Sequence, residues 1–299
     1  RDLVRSRGLG DVYKRQIRNR AMNKFLIVAN TDKDINLKLS QDIVAYIREK
    51  GAQAVVVSDE QHYNGTTIKP EYMGGVEAVI VLGGDGTMLR AAHSIGTYDV
   101  PLMGVNLGTL GFLTEVEESN AYKAIDRLLA DDYSIEKRMM IEGRKGETSF
   151  SCLNDVVITR AGFSRIIGLN IYVNEQLLDT YEADGVIVAT PTGSTGYNLS
   201  AGGPIISPKS KAVVVTPISP HSLTSKSVVF DSADRIRIEV VKKRRTQETE
   251  AIVSFDGADN IELSAGESVE VTCSKREIRL IKMYDVSFYS VLREKIGGA

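Results

Sequence analysis

The 299-residue sequence contains no tryptophan, two cysteines, three histidines and seven prolines. Cys152 and Cys273 are too few for a disulfide framework, so the chain reads as one made for a reducing compartment and is expected in the cytoplasm. With only His62, His93 and His221 beside them, the cysteines also argue against a Cys/His metal site. No apolar run approaches the ~20 residues that a membrane-spanning helix needs, so no membrane is expected as a partner. Lys and Arg number 37 against 39 Asp and Glu, a formal charge of -2, which offers no surface for a polyanion and excludes nucleic acid as an expected partner. Neither a Walker A loop nor a G-x-G-x-x-G fingerprint occurs.

What is present describes a globular chain large enough for two domains, 42% hydrophobic and 25% charged. Its first 21 residues, "RDLVRSRGLGDVYKRQIRNRA", are basic and lack the apolar core of a signal peptide. They read as a foreign or disordered leader ahead of Met22, which directly precedes the strand-like "KFLIVAN".

From Lys24 the order is strand (25–29), helix (37–50, ending at Gly51), strand (54–57), polar loop, and a further strand from Ala78. That alternation implies a parallel sheet. Pro101 to Val105 reads as another strand, and Ser119 as the cap of a helix running to Ala130. Beyond Tyr133 the chain turns into short strands with period-two alternation, from "LNDVVITR" to "EIRLIKM". "DVSFYSVLREKIG" spaces its apolar residues like a helix that packs back on the first domain. The expected organisation is a leader (1–21), an α/β domain (22–133, completed by 284–299) and a β-rich domain (134–283).

Three stretches carry candidate chemistry. In "AVIVLGGDGTMLRAA", Ala78 to Ala92, a buried strand meets three glycines and a helix that resumes at Met88. Such a turn admits close approach of a ligand and offers helix N–H groups to an anion. Asp85 at its centre would repel phosphate, so it either caps the helix or acts on something beside the phosphate. Arg90, one helical turn on, reaches the same cleft or is a solvated helix residue. Asn154 and Asp155 open a strand; side by side they face opposite ways unless the backbone is irregular or the strand ends there. An amide suits a purine edge and a carboxylate a ribose diol, while the alternative is an Asx turn. Third, "DGVIVATPTGSTGYNLSAGGPIISP", Asp184 to Pro208, runs from an apolar strand into a long hydroxyl- and glycine-rich loop whose one aromatic is Tyr197. By contrast, "KKRR" at 242–245 reads as a solvated hairpin tip, and His221 as an ordinary loop histidine.

With these stretches, together with "GVNLGTLGFLTEV", "YSIEKRMMIEG" and "FYSVLREKI", the chain from Met22 to Gly297 resembles the bacterial ATP-dependent NAD kinases. GGDGT alone is shared with diacylglycerol kinases and phosphofructokinases; the stretch from Asp184 to Pro208 is the specific one. The resemblance implies a Rossmann-like α/β N-terminal domain completed by the C-terminal helix, a β-rich C-terminal domain, an active site between them and a homodimer or homotetramer. It implies that ATP, carrying a divalent ion such as Mg²⁺, phosphorylates the 2′-hydroxyl of the adenosine ribose of NAD. By position, Asp85 matches the proton acceptor and Gly86 lines the same site. Asn154 and Asp155 match the pair that holds adenosine, and Asp184 the carboxylate near the nicotinamide end. Thr195, Gly196, Tyr197, Asn198, Leu199 and Ser200 match the loop around the adenosine, and Arg90 and Arg165 fall where the dinucleotide can be touched. The second pair is often Asn-Glu, and the loop often Thr-Ala-Tyr where this chain has Thr-Gly-Tyr. "SFDGAD" has Ala258 where many members carry a polar residue, and no role is expected of it. The rival readings are a lipid or sugar kinase sharing GGDGT and a dinucleotide sensor without turnover.

Overall fold

The computed structural model describes residues 22–58, 68–108, 111–162, 166–222, 225–241 and 251–297. The leader, the basic tip at 242–245 and Arg165 lie outside the described residues.

The α/β domain comprises β1 (Lys24–Ala29), α1 (Lys38–Glu49), β2 (Gln53–Ser58), the single-turn α2 (Pro70–Met73), β3 (Ala78–Gly83), α3 (Asp85–Ser94), β4 (Leu102–Asn106), β5 (Val116–Glu117) and α4 (Ala121–Leu129). β2, β1, β3 and β4 lie side by side in that order and run parallel. A parallel strand covered on both faces must be apolar throughout, which is why β1 reads FLIVA without polar interruption. Alternate residues go to opposite layers: Phe25 and Ile27 join Ile43, Ile47, Ile125 and Leu128 of α1 and α4, whereas Leu26 and Val28 join Met88 and Ala91 of α3 and Ile95 just after it. Fully burying each of the larger side chains among these contributes about 1.5–3 kcal/mol.

Besides the start of α3, two helix starts differ from the sequence reading. α1 begins after a 3-10 turn, Ile35–Leu37, and Asp34 supplies its cap, accepting the N–H groups of Leu39 (2.9 Å) and Ser40 (3.0 Å). Ser119 is not a cap; it lies inside a 3-10 turn, Glu118–Asn120, and Asn120 precedes α4 without a side-chain bond.

The β-rich domain contains β6 (Ser134–Lys145), β7 (Thr148–Cys152), β8 (Asp155–Arg160), β9 (Ile167–Val173), β10 (Gln176–Ala183), β11 (Gly185–Ala189), the single-turn α5 (Tyr197–Ser200), β12 (Ala212–Ile218), β13 (Val228–Asp231), β14 (Ile236–Val240), β15 (Ala251–Phe255), β16 (Asp259–Leu263) and β17 (Ser268–Lys282). One six-stranded antiparallel sheet has the order β13-β12-β11-β8-β15-β16. It packs against β9, β14, β17 and β6 through Val156, Ile158, Val186 and Val188 on one side and Ile171, Ile238, Val269 and Val271 on the other. "ESVEVTC" and "EIRLIKM" are not two strands but one, β17, with a register shift between Cys273 and Glu277 where it pairs with β6. The end of β17 then joins the parallel sheet beside β4, Leu280 opposite Leu102. A single sheet therefore runs through both domains and fixes their mutual orientation. The chain ends in α6 (Phe288–Ile296), capped by Ser287, whose side chain accepts the N–H of Ser290. Phe288 packs on Phe112 of the α/β domain, ring centroids 5.9 Å apart.

No helix among the described residues is long and apolar enough to cross a membrane.

Candidate functional site

In an open α/β sheet, ligands bind beyond the carboxyl ends of the strands where neighbouring connections leave in opposite directions, and here that point lies between β1 and β3. Three chain segments meet there: 30–34 after β1, the Gly83–Gly84 turn after β3, and the segment after β4. Asn30 ties the first to the second, its Nδ2 donating to Thr87 Oγ1 at 3.1 Å. Lys33 is exposed, and its Nζ sits so close to Gly84 and Gly108 that a Cβ on either would lie 3.4 Å or 3.2 Å from it. An ammonium thus stands between two glycine turns, an arrangement suited to an anion.

Asp85 is the first residue of α3, three residues ahead of the helix start read from the sequence, and the residue before the helix is Gly84, with no side-chain cap. The Asp85 carboxylate turns instead to the segment after β4. Oδ2 accepts the N–H of Phe112 (2.7 Å), and Oδ1 accepts those of Leu113 (3.0 Å) and Thr114 (3.3 Å) and the Thr114 hydroxyl (3.3 Å). Gly111 is a glycine for this reason: a Cβ there would stand 1.8 Å from Asp85 Oδ1. Lys295 of α6 lies over Phe112, 5.1 Å from the ring centroid, so the C-terminal helix braces the segment that holds Asp85. Gly86 and Arg90 are exposed on α3, and Arg90 Nη2 lies 3.5 Å from Thr87 Oγ1.

Asn154 and Asp155 meet at a strand end. β8 begins at Asp155 and Asn154 lies just outside it, so both side chains reach one cavity of about 370 Å³, shared with Tyr197, Ser254, Asp256 and Gly257. Tyr197 is 46% exposed, presenting its ring to this cavity rather than to a core. The backbone of Asp155 and its neighbours is held by Asp256, whose carboxylate accepts the N–H groups of Leu153 (2.6 Å), Asn154 (2.8 Å) and Asp155 (3.0 Å). Burial, then the Asp256 charge, pushes the Asp155 carboxyl up to about 7. Burial also raises Asp256, opposed by its three backbone donors and by His93. His93, on α3, pairs with Asp259 at the base of the same turn, Nε2 to Oδ2 3.0 Å.

The hydroxyl-rich loop packs tightly on Asn154. A Cβ on Gly193 would stand 2.1 Å from the Asn154 carbonyl oxygen, and Thr190 N–H donates to that oxygen at 2.8 Å. Asn198 is fully buried, its Nδ2 donating to the Ser194 (3.1 Å) and Pro204 (3.0 Å) carbonyls and its Oδ1 accepting from Thr216 Oγ1 (2.7 Å). It shapes the loop from within, while Thr195, Gly196 and Leu199 are half-buried and Ser200 is exposed. The buried Arg138 of β6 lies under this loop. Its Nη1 donates to Thr192 Oγ1 (3.3 Å), its Nε pairs with Glu136 (2.5 Å), and burial pulls its guanidinium down against the opposing charges of Glu136 and Asp85.

Asp184 does not itself line the cavity, which extends along β8 as far as Thr159. It precedes β11, whose Ala189 lies opposite Asp155 and whose Gly185 lies opposite Thr159, so Asp184 is near the far end of β8, roughly 15 Å along the strand at ~3.3 Å per residue. There it pairs with Arg160 at 2.8 Å. The sequence reading assigned no site role to Lys33, Arg138, His93 or Asp256. Asp256 carried a signal in the Asp-Gly after an alternating strand, where both residues adopt left-handed backbone, φ 49° and 71°. Among the described residues, no group of three or more His, Cys, Asp or Glu side chains is arranged to hold a metal ion.

Comparison with known proteins gives the family. Residues 25–133 match the ATP-NAD kinase N-terminal domain and residues 153–283 the ATP-NAD kinase C-terminal domain. An NAD kinase of Lachnoclostridium phytofermentans is 45% identical over 284 residues, covering 92% of this chain and 99% of that protein. One from Moorella thermoacetica is 39% identical, covering 93% and 91%. In fold, the chain is similar to a yeast NADH kinase complexed with NADH, with a TM-score of 0.76, 23% identity and coverage of 94% of this chain and 89% of that one. It is also similar to an NAD kinase from Archaeoglobus fulgidus in complex with ATP, with a TM-score of 0.74, 21% identity and coverage of 91% and 98%.

Proposed function

The chain belongs to the ATP-NAD kinase family, and from that premise we propose how its residues divide the reaction between donor and acceptor. As a phosphotransferase acting on NAD with ATP, it forms a bond between the ribose 2′-oxygen and the γ-phosphorus, the bond from that phosphorus to the β–γ bridging oxygen breaks, ADP departs, and the hydroxyl proton must be taken up. Asp85 takes that proton. One observation carries this assignment: among the described residues Asp85 Oδ2 has a single hydrogen-bond donor and keeps lone-pair capacity for a hydroxyl, beside two glycine turns that share the Lys33 ammonium. An ordinary carboxylate is too weak a base to ionise a sugar hydroxyl in advance, so Asp85 orients the hydroxyl and accepts its proton late.

The donor's phosphates lie against Gly84, Gly86, Gly108 and Lys33, with Mg²⁺ arriving on the nucleotide and offsetting the charge of Asp85. NAD occupies the cavity of Asn154, Asp155 and Tyr197, with Thr195, Gly196, Leu199 and Ser200 around the adenosine, Asn198 holding the loop, and Arg90 and Arg165 reaching the dinucleotide. Asp184, far along β8, meets its nicotinamide half. The family resemblance also supports a homodimer or homotetramer and a cytoplasmic location, and light scattering on the purified protein tests the first.

The deciding experiment is NADP formation from NAD and MgATP, followed by mass spectrometry of the product. Turnover with NAD supports the reading. Binding of NAD without turnover leaves a sensor, and turnover of a diacylglycerol or a sugar phosphate instead leaves a kinase that shares only the glycine turn.

A further inference from the structure

We propose that the β15–β16 turn, residues 256–259, is a strut that sets the spacing between Asp85 and the Asn154–Asp155 pair, with Asp256 and the His93–Asp259 contact as its two ends. The proposal rests on the roles assigned above to those three residues. On one side the turn is bound to the start of β8 by four hydrogen bonds. The Asp256 carboxylate accepts three successive backbone N–H groups, and Asp256 N–H donates to the Asp155 carbonyl at 3.1 Å. The turn itself is stiff: Asp256 and Gly257 hold left-handed conformations, and Ala258 N–H closes on the Phe255 carbonyl at 2.9 Å.

On the other side, among the described residues, stands a polar contact with α3. His93 Nε2 and Asp259 Oδ2 are 3.0 Å apart, and both side chains are largely buried, 14% and 16% exposed. The two atoms lie within ion-pair distance, but no hydrogen-bond donor among the described residues is aligned on Oδ2, so this is a polar packing contact kept in place by the burial of both side chains. His93 lies eight residues after Asp85 on the same helix, roughly 12 Å along its axis at ~1.5 Å per residue. Met88, Ala91 and Ala92 between them are completely buried, so α3 transmits a position rather than bending. Asp85 and Asp155 come from different domains, and phosphoryl transfer demands that nucleophile, donor and proton acceptor align within a fraction of an ångström. The strut joins the two residues through one rigid helix, one contact and one rigid turn. His93 and Asp259 are positioning residues; neither touches substrate.

The test uses His93→Leu, which keeps the volume without the contact, Asp259→Ala, the double variant, and Asp259→Asn, which keeps an acceptor for the imidazole. NADP formation is measured at equal folded fraction with separate titrations of NAD and ATP. We expect each disruptive variant to lower kcat by roughly 10-fold or more with both KM values within about threefold, since binding survives while alignment fails. The double variant should match the worse single, and Asp259→Asn should retain a third or more of the wild-type kcat. Wild-type kcat in the disruptive variants despite a lowered melting temperature would overturn the proposal, as would additive losses. Should one disruptive variant not fold, the other is read against Asp259→Asn by the same criteria. Failure of the wild type itself to form NADP would sink the functional reading instead, so the two failures are distinct.

Discussion

Asp85 Oδ2 accepts the backbone N–H of Phe112 at 2.7 Å, across the gap between the turn after β3 and the segment after β4. A carboxylate that merely capped its own helix would bond to its own first turn. This one anchors a neighbouring segment and keeps lone pairs for a ligand. Asp85→Asn separates the two duties. An amide must point an NH₂ group at some of the four donors that Asp85 now accepts, so the variant should melt a few degrees lower. It also cannot take a proton, so NADP formation per folded molecule should fall by roughly 10²- to 10⁴-fold. Loss of stability with less than a tenfold loss of rate would leave Asp85 an anchor only.

Lys33 is the cation that stands between the glycine turns, yet it is exposed and contributes no core packing. Lys33→Ala should leave the melting temperature within about 1 °C, as expected of a surface change. If the ammonium meets the donor's phosphates, KM for ATP should rise about 10-fold or more while KM for NAD stays nearly constant. A rise confined to NAD would move Lys33 to the pyrophosphate of the dinucleotide. Kinetics unchanged in both substrates would remove it from the site.

Tyr197 shares the cavity with Asn154 and Asp155, and its 46% exposure leaves a ring face open to a ligand. Tyr197→Ala should weaken NAD binding, read by calorimetry, by about 1 kcal/mol or more. Because nearly half of the residue is exposed, the melting temperature should fall by no more than a few degrees. An early melt with intact NAD affinity would make the ring a structural support for the loop.

The α/β half was legible because a strand buried on both faces must be uniformly apolar, and glycines punctuate its ends; β1, β3 and β4 are read almost to the residue. The pairing of β17 with β4 was not, since a strand's partner is set by long-range topology that its own alternation does not encode. In the site, Asp85, Asn154 and Tyr197 announce themselves through unusual neighbours in sequence. Lys33 and Arg138 look like any other cation in the chain, and only the folded backbone brings one to Gly84 and Gly108 and the other to Thr192. Asp256 was passed over because its neighbour Ala258 is apolar, although its role is to hold the backbone of residues 153–155.

Asp155 gives the chain a pH dependence of definite sign. Its carboxyl, buried beside Asp256, is raised from 3.8 to about 7, so the folded protein holds a proton that the unfolded chain releases. The resulting stabilisation is complete below pH about 4 and is lost as pH rises through about 7. Each unit of the shift corresponds to about 1.4 kcal/mol, and roughly 1 kcal/mol moves the melting temperature of a protein of this size by about 2–4 °C. Asp155→Asn replaces the ionisable group by a neutral one of nearly equal volume. At pH 5 the unfolded chain has already released the proton that the folded state keeps, so the variant should already melt slightly higher than the wild type. At pH 8.5 the wild type carries a charge against Asp256 in a site largely closed to water, and the variant should melt several degrees higher. Other carboxylates titrate in both proteins and cancel in the difference. A variant whose advantage is the same at both pH values would mean that Asp155 is already ionised at pH 5, and that the cavity meets NAD with a carboxylate rather than an acid.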